Sequence, residues 1–386
     1  MAQQLSQQEL AAMDSAFYSA AVRRSVKLPK FAVSSGGTYD VTLPKAGIGT
    51  YALLAFRGTL SRTEGATVGK VNTSPNGPWN VIQNESFTDY NGIVRHSSLS
   101  GSLLNFRRRM LSAPRFDTQD TTSGAPNGEL ASVSMYNYSI PAGTASSTTT
   151  SPLNFSLLIP FSAGYNNVKG SYAFTEPNGS STLSFTIQPE VSAPASGNPD
   201  PKNIALITAG SGSTVTVSGN VYITYYYYDV PAGTPMPLGE LSQVFELVNV
   251  TDSSNLTAGN TKSFVLQTGR TYIRAYQSLV LNGLLQTSAV DVINFKVNAS
   301  TPTTDEYIYN YLDRMAQHYG QPPVDGRFIL DWSGQPWTPD SYGSLEVNLE
   351  IDSAANVSAP AYLDTTRECL YVSSQSVSLV QAGSAG

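Results

Sequence analysis

Apolar and polar residues alternate at period two along most of this chain, in short runs bounded by Gly, Pro, Asn and Ser. The pattern predicts strands at 39–43, 51–60 and 79–83, then at 130–140, 154–161, 182–188, 204–207 and 214–217. The densest run is 221–230, Val-Tyr-Ile-Thr followed by four tyrosines, a composition suited to a pleated, half-buried surface. Residues 231–239 follow with three prolines and two glycines, which cannot continue a sheet ladder and read as an extended hinge. Beyond it the texture returns, with strands expected at 243–250, 261–267, 272–277, 279–285, 290–297, 327–332, 344–351 and 368–372.

Three segments break the alternation. Ser6 and Glu9 stand in capping-box spacing, so a helix is expected from Gln7 to about Val22, with Arg23 and Arg24 in its last turn. Leu10, Met13, Phe17, Ala20 and Ala21 share one face of it. That face can pack on the chain itself or on a neighbouring copy, or it can rest on lipid with Arg23, Arg24, Lys27 and Lys30 near headgroups. Leu99, Leu103, Phe106 and Met110 follow helical spacing and end beside Arg107, Arg108 and Arg109, a basic triplet expected at a solvated or subunit-facing helix end. A last helix is expected over 304–319, opening on Thr304, Asp305 and Glu306 and stopping at Gly320.

The pattern therefore gives an all-β chain with helices at the N-terminus and in loops: an arm at 1–30, a module at 31–230, a hinge at 231–242, a second module at 243–376 and a tail at 377–386. About eight strands per half suits a jelly roll, and aligned sandwiches of other topology would give the same periodicity. Low-complexity loops at 118–128, 141–152 and 189–202 are surface excursions.

Composition narrows the function. Charged residues are only 13% of the 386, which points to a surface that meets other protein. A net charge of −6 argues against direct binding to nucleic acid. The single cysteine, Cys369, excludes an internal disulfide framework and reads as a small core residue. No run of 18 apolar residues spans a membrane, no signal peptide is expected, and folding in a cytoplasm follows.

Catalytic chemistry finds little support. His96 and His318 have neither HxxxH nor His-carboxylate spacing, and no nucleotide, zinc or EF-hand motif occurs; no cofactor is expected. The carboxylate pairs Asp325/Asp331 and Glu346/Glu350 are near chance for a glycosidase. Trp332, Trp337 and Tyr342 could form an aromatic sugar platform, which keeps a receptor- or glycan-binding sandwich as the alternative, although a core or interface role suits them better.

Several runs, in order, resemble the tectivirus-type major capsid proteins. They are Gly-Pro-Trp-Asn-Val-Ile at 77–82; Asn-Phe-Ser-Leu-Leu-Ile-Pro-Phe-Ser-Ala-Gly-Tyr at 154–165; Leu-Ser-Phe-Thr-Ile at 183–187; the Tyr-rich strand and Pro-rich connector at 221–238; and the late helix and strand at 307–318 and 326–332. The loops at 112–128 and 141–152 differ in length from that pattern, so surface loops are not carried over. The resemblance implies a double jelly-roll coat protein of a tailless icosahedral virus with an internal membrane, in the lineage that includes adenovirus hexon. It further implies homotrimers of pseudo-hexagonal outline, contacts with neighbouring capsomers and with vertex or minor capsid proteins, and an N-terminal helix facing the membrane.

Overall fold

The computed structural model describes residues 6–111, 137–164, 167–171, 179–266, 268–298, 302–320, 326–334, 336–338 and 344–371. In the first half, α1 (Gln7–Ala20) leads to β1 (Val22–Lys27), β2 (Phe31–Ser34), β3 (Thr38–Thr42), β4 (Ile48–Thr63), β5 (Val71–Thr73), β6 (Ile82–Thr88) and β7 (Val94–Leu99). Then come α2 (Gly101–Leu111), β8 (Asn137–Tyr138), β9 (Thr148–Pro160), β10 (Thr182–Ile187), β11 (Val191–Ser192), β12 (Ala205–Ile207) and β13 (Thr214–Asp229). The second half holds α3 (Leu238–Leu241), β14 (Val244–Asp252), β15 (Thr261–Val265), β16 (Thr271–Leu281), β17 (Leu284–Leu285), β18 (Val290–Val297), β19 (Pro302–Tyr307), α4 (Ile308–Tyr319), β20 (Arg327–Asp331), β21 (Leu345–Ile351) and β22 (Tyr362–Tyr371).

These strands make two sandwiches that share one sheet. A seven-stranded sheet, β1-β13-β4-β9-β8 with β2 and β11 also on β13, faces the β7-β6-β10-β3 part of a nine-stranded sheet. The rest of that sheet, β17-β16-β22-β14 with β20 on β16, faces a four-stranded sheet, β15-β21-β18-β19. The ladders are antiparallel except where β14 meets β7 in parallel, pairing Leu247 with His96 and Val248 with Ser97. That pair joins the halves into a continuous surface.

Period-two alternation fills each sandwich. Leu54, Phe56, Leu157, Ile159, Ile223 and Tyr225 point from the seven-stranded sheet onto Phe87, Leu183 and Phe185. Tyr272, Leu279, Phe328 and Leu330 meet Ile293, Val347 and Leu349 in the second, and α4 closes it with Ile308, Tyr311 and Met315. Val244, Phe245, Leu247, Ile273 and Leu370 of the second half belong to the first half's core, so the boundary is a packed seam. The same alternation leaves Tyr51, Leu53, Ala55, Tyr222 and Tyr226 on the outer face of the seven-stranded sheet, where Tyr51 and Tyr226 stack at 4.6 Å.

Several expected bounds shift, each for a physical reason. The N-terminal helix keeps its capping box but ends at Ala20; Arg23 and Arg24 stand instead in β1, where the chain pairs with the Tyr-rich end of β13. The last helix begins at Ile308, because Thr304, Asp305 and Glu306 extend along β18 as β19. Residues 79–81 are a single 3₁₀ turn before β6. The runs 214–217 and 221–230 fuse into one 16-residue strand, and 272–277 joins residues 279–281 in β16 while Leu284–Leu285 forms β17. Of the strand expected at 130–140, only Asn137 and Tyr138 lie among the described strand residues.

Candidate functional site

The densest chemistry in the described residues lies along the seam. α2 leaves the first half and packs Phe106 and Met110 on Tyr276 and Ile329 of the second. It is buried from Gly101 to Arg107 although it carries three arginines, because both halves press on it. Arg107, from the basic triplet, is turned inward. Its guanidinium lies inside the chain and donates to both Glu368 oxygens, from Nε at 3.2 Å and Nη2 at 3.0 Å. Arg274 and the Tyr276 hydroxyl reach the same carboxylate at 3.4 and 2.8 Å. Burial alone would push the Glu368 carboxyl up; the charges of Arg107 and Arg274 outweigh it and hold the group below the usual carboxylate range. Arg108 and Arg109 are half-buried.

Two further buried polar pairs lie along the same seam. His96 Nδ1 lies 3.0 Å from Glu85 Oε1, both groups fully buried where β7 meets β14. Local sequence spacing could not reveal this pair, because the partners are eleven residues apart and the β6–β7 hairpin brings them together. Arg95 pairs with Asp89 at 2.6 Å and also donates to the Tyr371 hydroxyl on β22, crossing the seam. Such pairs are costly to desolvate, so their value lies in geometry: once one partner is lost, the other is stranded.

A polar cleft of ≈ 410 Å³ opens beside the seam, lined from the first half by Asn80, Ser98 and Lys202 and from the second by Asn249, Thr251 and Asp364. Among the described residues no cluster of three His, Cys, Asp or Glu could hold a metal ion. Cys369 is buried with its thiol against the Glu246 backbone, and burial raises its pKa. Groups so held position two modules.

The arm is anchored as well. Phe17 is fully buried against Ile48, Val168 and Leu241, while Leu10 and Met13 are only half-buried. The Tyr18 hydroxyl donates to Glu240, and the Val168 N–H donates to Tyr18 Oη at 2.9 Å and to Glu240 Oε2 at 3.0 Å. Arg23 donates to the Tyr51 hydroxyl at 2.8 Å, Arg24 pairs with Asp229 at 2.8 Å, and Lys27 is exposed. Among the described residues no helix is long and apolar enough to cross a membrane.

The two tryptophans of the alternative aromatic platform sit on the core side, the role expected of them. Trp332 packs edge-on to Phe295, and Trp337 is tied by its backbone to Tyr272; both lean on the second core. Tyr342 and Asp325 lie outside the described residues, as do 112–128 and the tail at 377–386.

No family model matches the sequence, and no curated protein matches it. Solved structures do. The major capsid protein of Sulfolobus turreted icosahedral virus aligns at a TM-score of 0.61 and 15% identity, over 91% of this chain and 97% of that one. The atomic structure of the same virus gives 0.62 at 15% identity, over 94% and 97%. The PBCV-1 virus capsid gives 0.53 at 8% identity, over 91% and 93%. Identity this low speaks for architecture alone, and the architecture is plain: the chain is an all-β double jelly roll, the fold of these viral major capsid proteins.

Proposed function

We propose that this chain is a coat subunit that associates with itself as a homotrimer and builds an icosahedral shell around an internal membrane. The observation that carries the reading is the pair of sandwiches fused side by side, which aligns with capsid proteins over more than nine-tenths of the chain. Three copies of a two-lobed subunit give six lobes, an outline that tiles a closed shell.

Two features support self-association. The outer face carrying Tyr51, Leu53, Ala55, Tyr222 and Tyr226 is apolar for a solvated surface, and a neighbouring copy would cover it. Charged residues are scarce throughout, as in proteins with large permanent interfaces. The arm supports an inner contact with lipid or an adjacent capsomer: Phe17 fixes α1, Leu10 and Met13 remain half-buried, and Arg23, Arg24 and Lys27 are exposed beside it. In this reading vertex and minor capsid proteins are further partners, and the acidic chain makes no direct contact with nucleic acid.

Deleting residues 2–28 tests the arm. The expected outcome is trimers that no longer enclose membrane, seen by electron microscopy of assembled particles. Membrane-filled particles formed at the normal yield would remove the arm from the proposal.

A further inference from the structure

One buried cation in the seam makes no salt bridge among the described residues, and the carboxylate in its lobe, Asp364, is engaged elsewhere. Arg327 opens β20 and is 6% exposed; Ser278 stands opposite it in the β16–β20 ladder and is 4% exposed. The Arg327 Nη2 donates to Asn76 Oδ1, and the Phe106 ring lies 5.2 Å from its Cζ. Among the described residues its Nε–H has no partner, and neither has the Ser278 hydroxyl. An unsatisfied buried donor costs on the order of 1–3 kcal/mol, and more when it carries charge.

Both residues line the same small lobe, of ≈ 10 Å³, which shares Ser100, Lys202 and Asp364 with the larger cleft. A space of that size takes one particle about as large as a water molecule. Charge favours an anion there. Asp364, the carboxylate lining the lobe, already accepts from Lys202 Nζ at 3.1 Å and from the Thr251 hydroxyl. Asp200, further along the cleft, accepts from the Tyr362 hydroxyl at 2.7 Å and from the Lys202 N–H at 2.8 Å. Lys202 and Arg327 thus face a single carboxylate in the lobe, and Arg109 adds a third positive field. Burial, then Arg109, brings Arg327 down to about 10, so the site holds its charge at neutral pH at a cost.

We infer that this lobe is a binding site for one small monovalent anion of the halide class, held by the Arg327 Nε–H and the Ser278 hydroxyl. The ion neutralises a cation at the joint of the two jelly rolls and satisfies two donors at once. A space of ≈ 10 Å³ suits a single-atom anion better than a larger oxyanion such as sulfate. A bound halide would tie β16 and β20 to Asn76 of the first half, and so would stiffen the joint between the modules.

Bromide is the probe. In crystals of the full chain grown with bromide in place of chloride, an anomalous peak is expected within hydrogen-bonding distance of both atoms. A crystal with no such peak, leaving an ordinary water between the two donors, would overturn the assignment. The melting temperature should also rise, on the order of 1–3 °C, when chloride replaces gluconate at fixed ionic strength. Ser278→Ala, a mild change, and Arg327→Met should each abolish that rise. A chloride response that persists in both variants would place the ion elsewhere and defeat the proposal.

Discussion

Glu368 shows what a single residue contributes to this joint. It is fully buried among Arg107, Arg274 and Tyr276, so its removal strands two guanidinium groups away from water. Glu368→Ala should cost about 3–5 kcal/mol of unfolding free energy by denaturant titration. Acid should act on the same group. Its folded pKa lies below the ordinary 4.5, so its stabilisation is complete above that value and is lost as the pH falls through the folded value. A stability profile should therefore drop below about pH 4.5 in the native chain, and should drop less in Glu368→Gln, which carries no titrating carboxyl there. At the arm, Phe17→Ala leaves a void among Ile48, Val168 and Leu241. The expected loss is roughly 3 kcal/mol of local docking energy, read as faster proteolytic cleavage of the arm with the remaining domain intact.

At the scale of elements, much was legible because period two survives in β10 and along much of β4 and β13, whereas β16 and β22, buried almost end to end, do not alternate. Many of the runs and the three longer helices follow from spacing and punctuation alone, while β1, β2 and β7 were not marked by it. What spacing could not give was decided by partners distant in sequence. Thr304–Glu306 has the composition of a helix start, yet β18 offers it a ladder. Arg107 reads as a solvated helix end until Glu368 arrives from 261 residues away. Gly219 and Asn220 read as a break between two strands; β13 runs through them because Gly219 lies against Gly58 of β4. A Cβ on Gly58 would stand 2.1 Å from the Ser218 carbonyl oxygen, so this close approach requires glycine. Gly58→Val should therefore part β4 from β13 and lower the melting temperature by several degrees or prevent folding, as followed by circular dichroism. The parallel β14–β7 pair left no trace in local pattern at all, since a sheet edge does not name its neighbour.

For the whole molecule, two observations combine: a pair of jelly rolls locked by a buried ionic seam, and an outer sheet face of Tyr51, Leu53, Ala55, Tyr222 and Tyr226 on which, among the described residues, no further sheet packs. The seam packs the two lobes against each other, as the proposed shell subunit would need to carry load between neighbours. The uncovered face is where a second copy would sit. Leu53→Arg, on that face and outside the core, should leave the monomer's melting temperature within about 1 °C while weakening association at least tenfold in sedimentation experiments. The most direct test of self-association needs no variant: the mass of the purified chain in solution by light scattering. The account predicts a particle three times the mass of the 386-residue chain that persists on dilution; a stable monomer at all concentrations would contradict it.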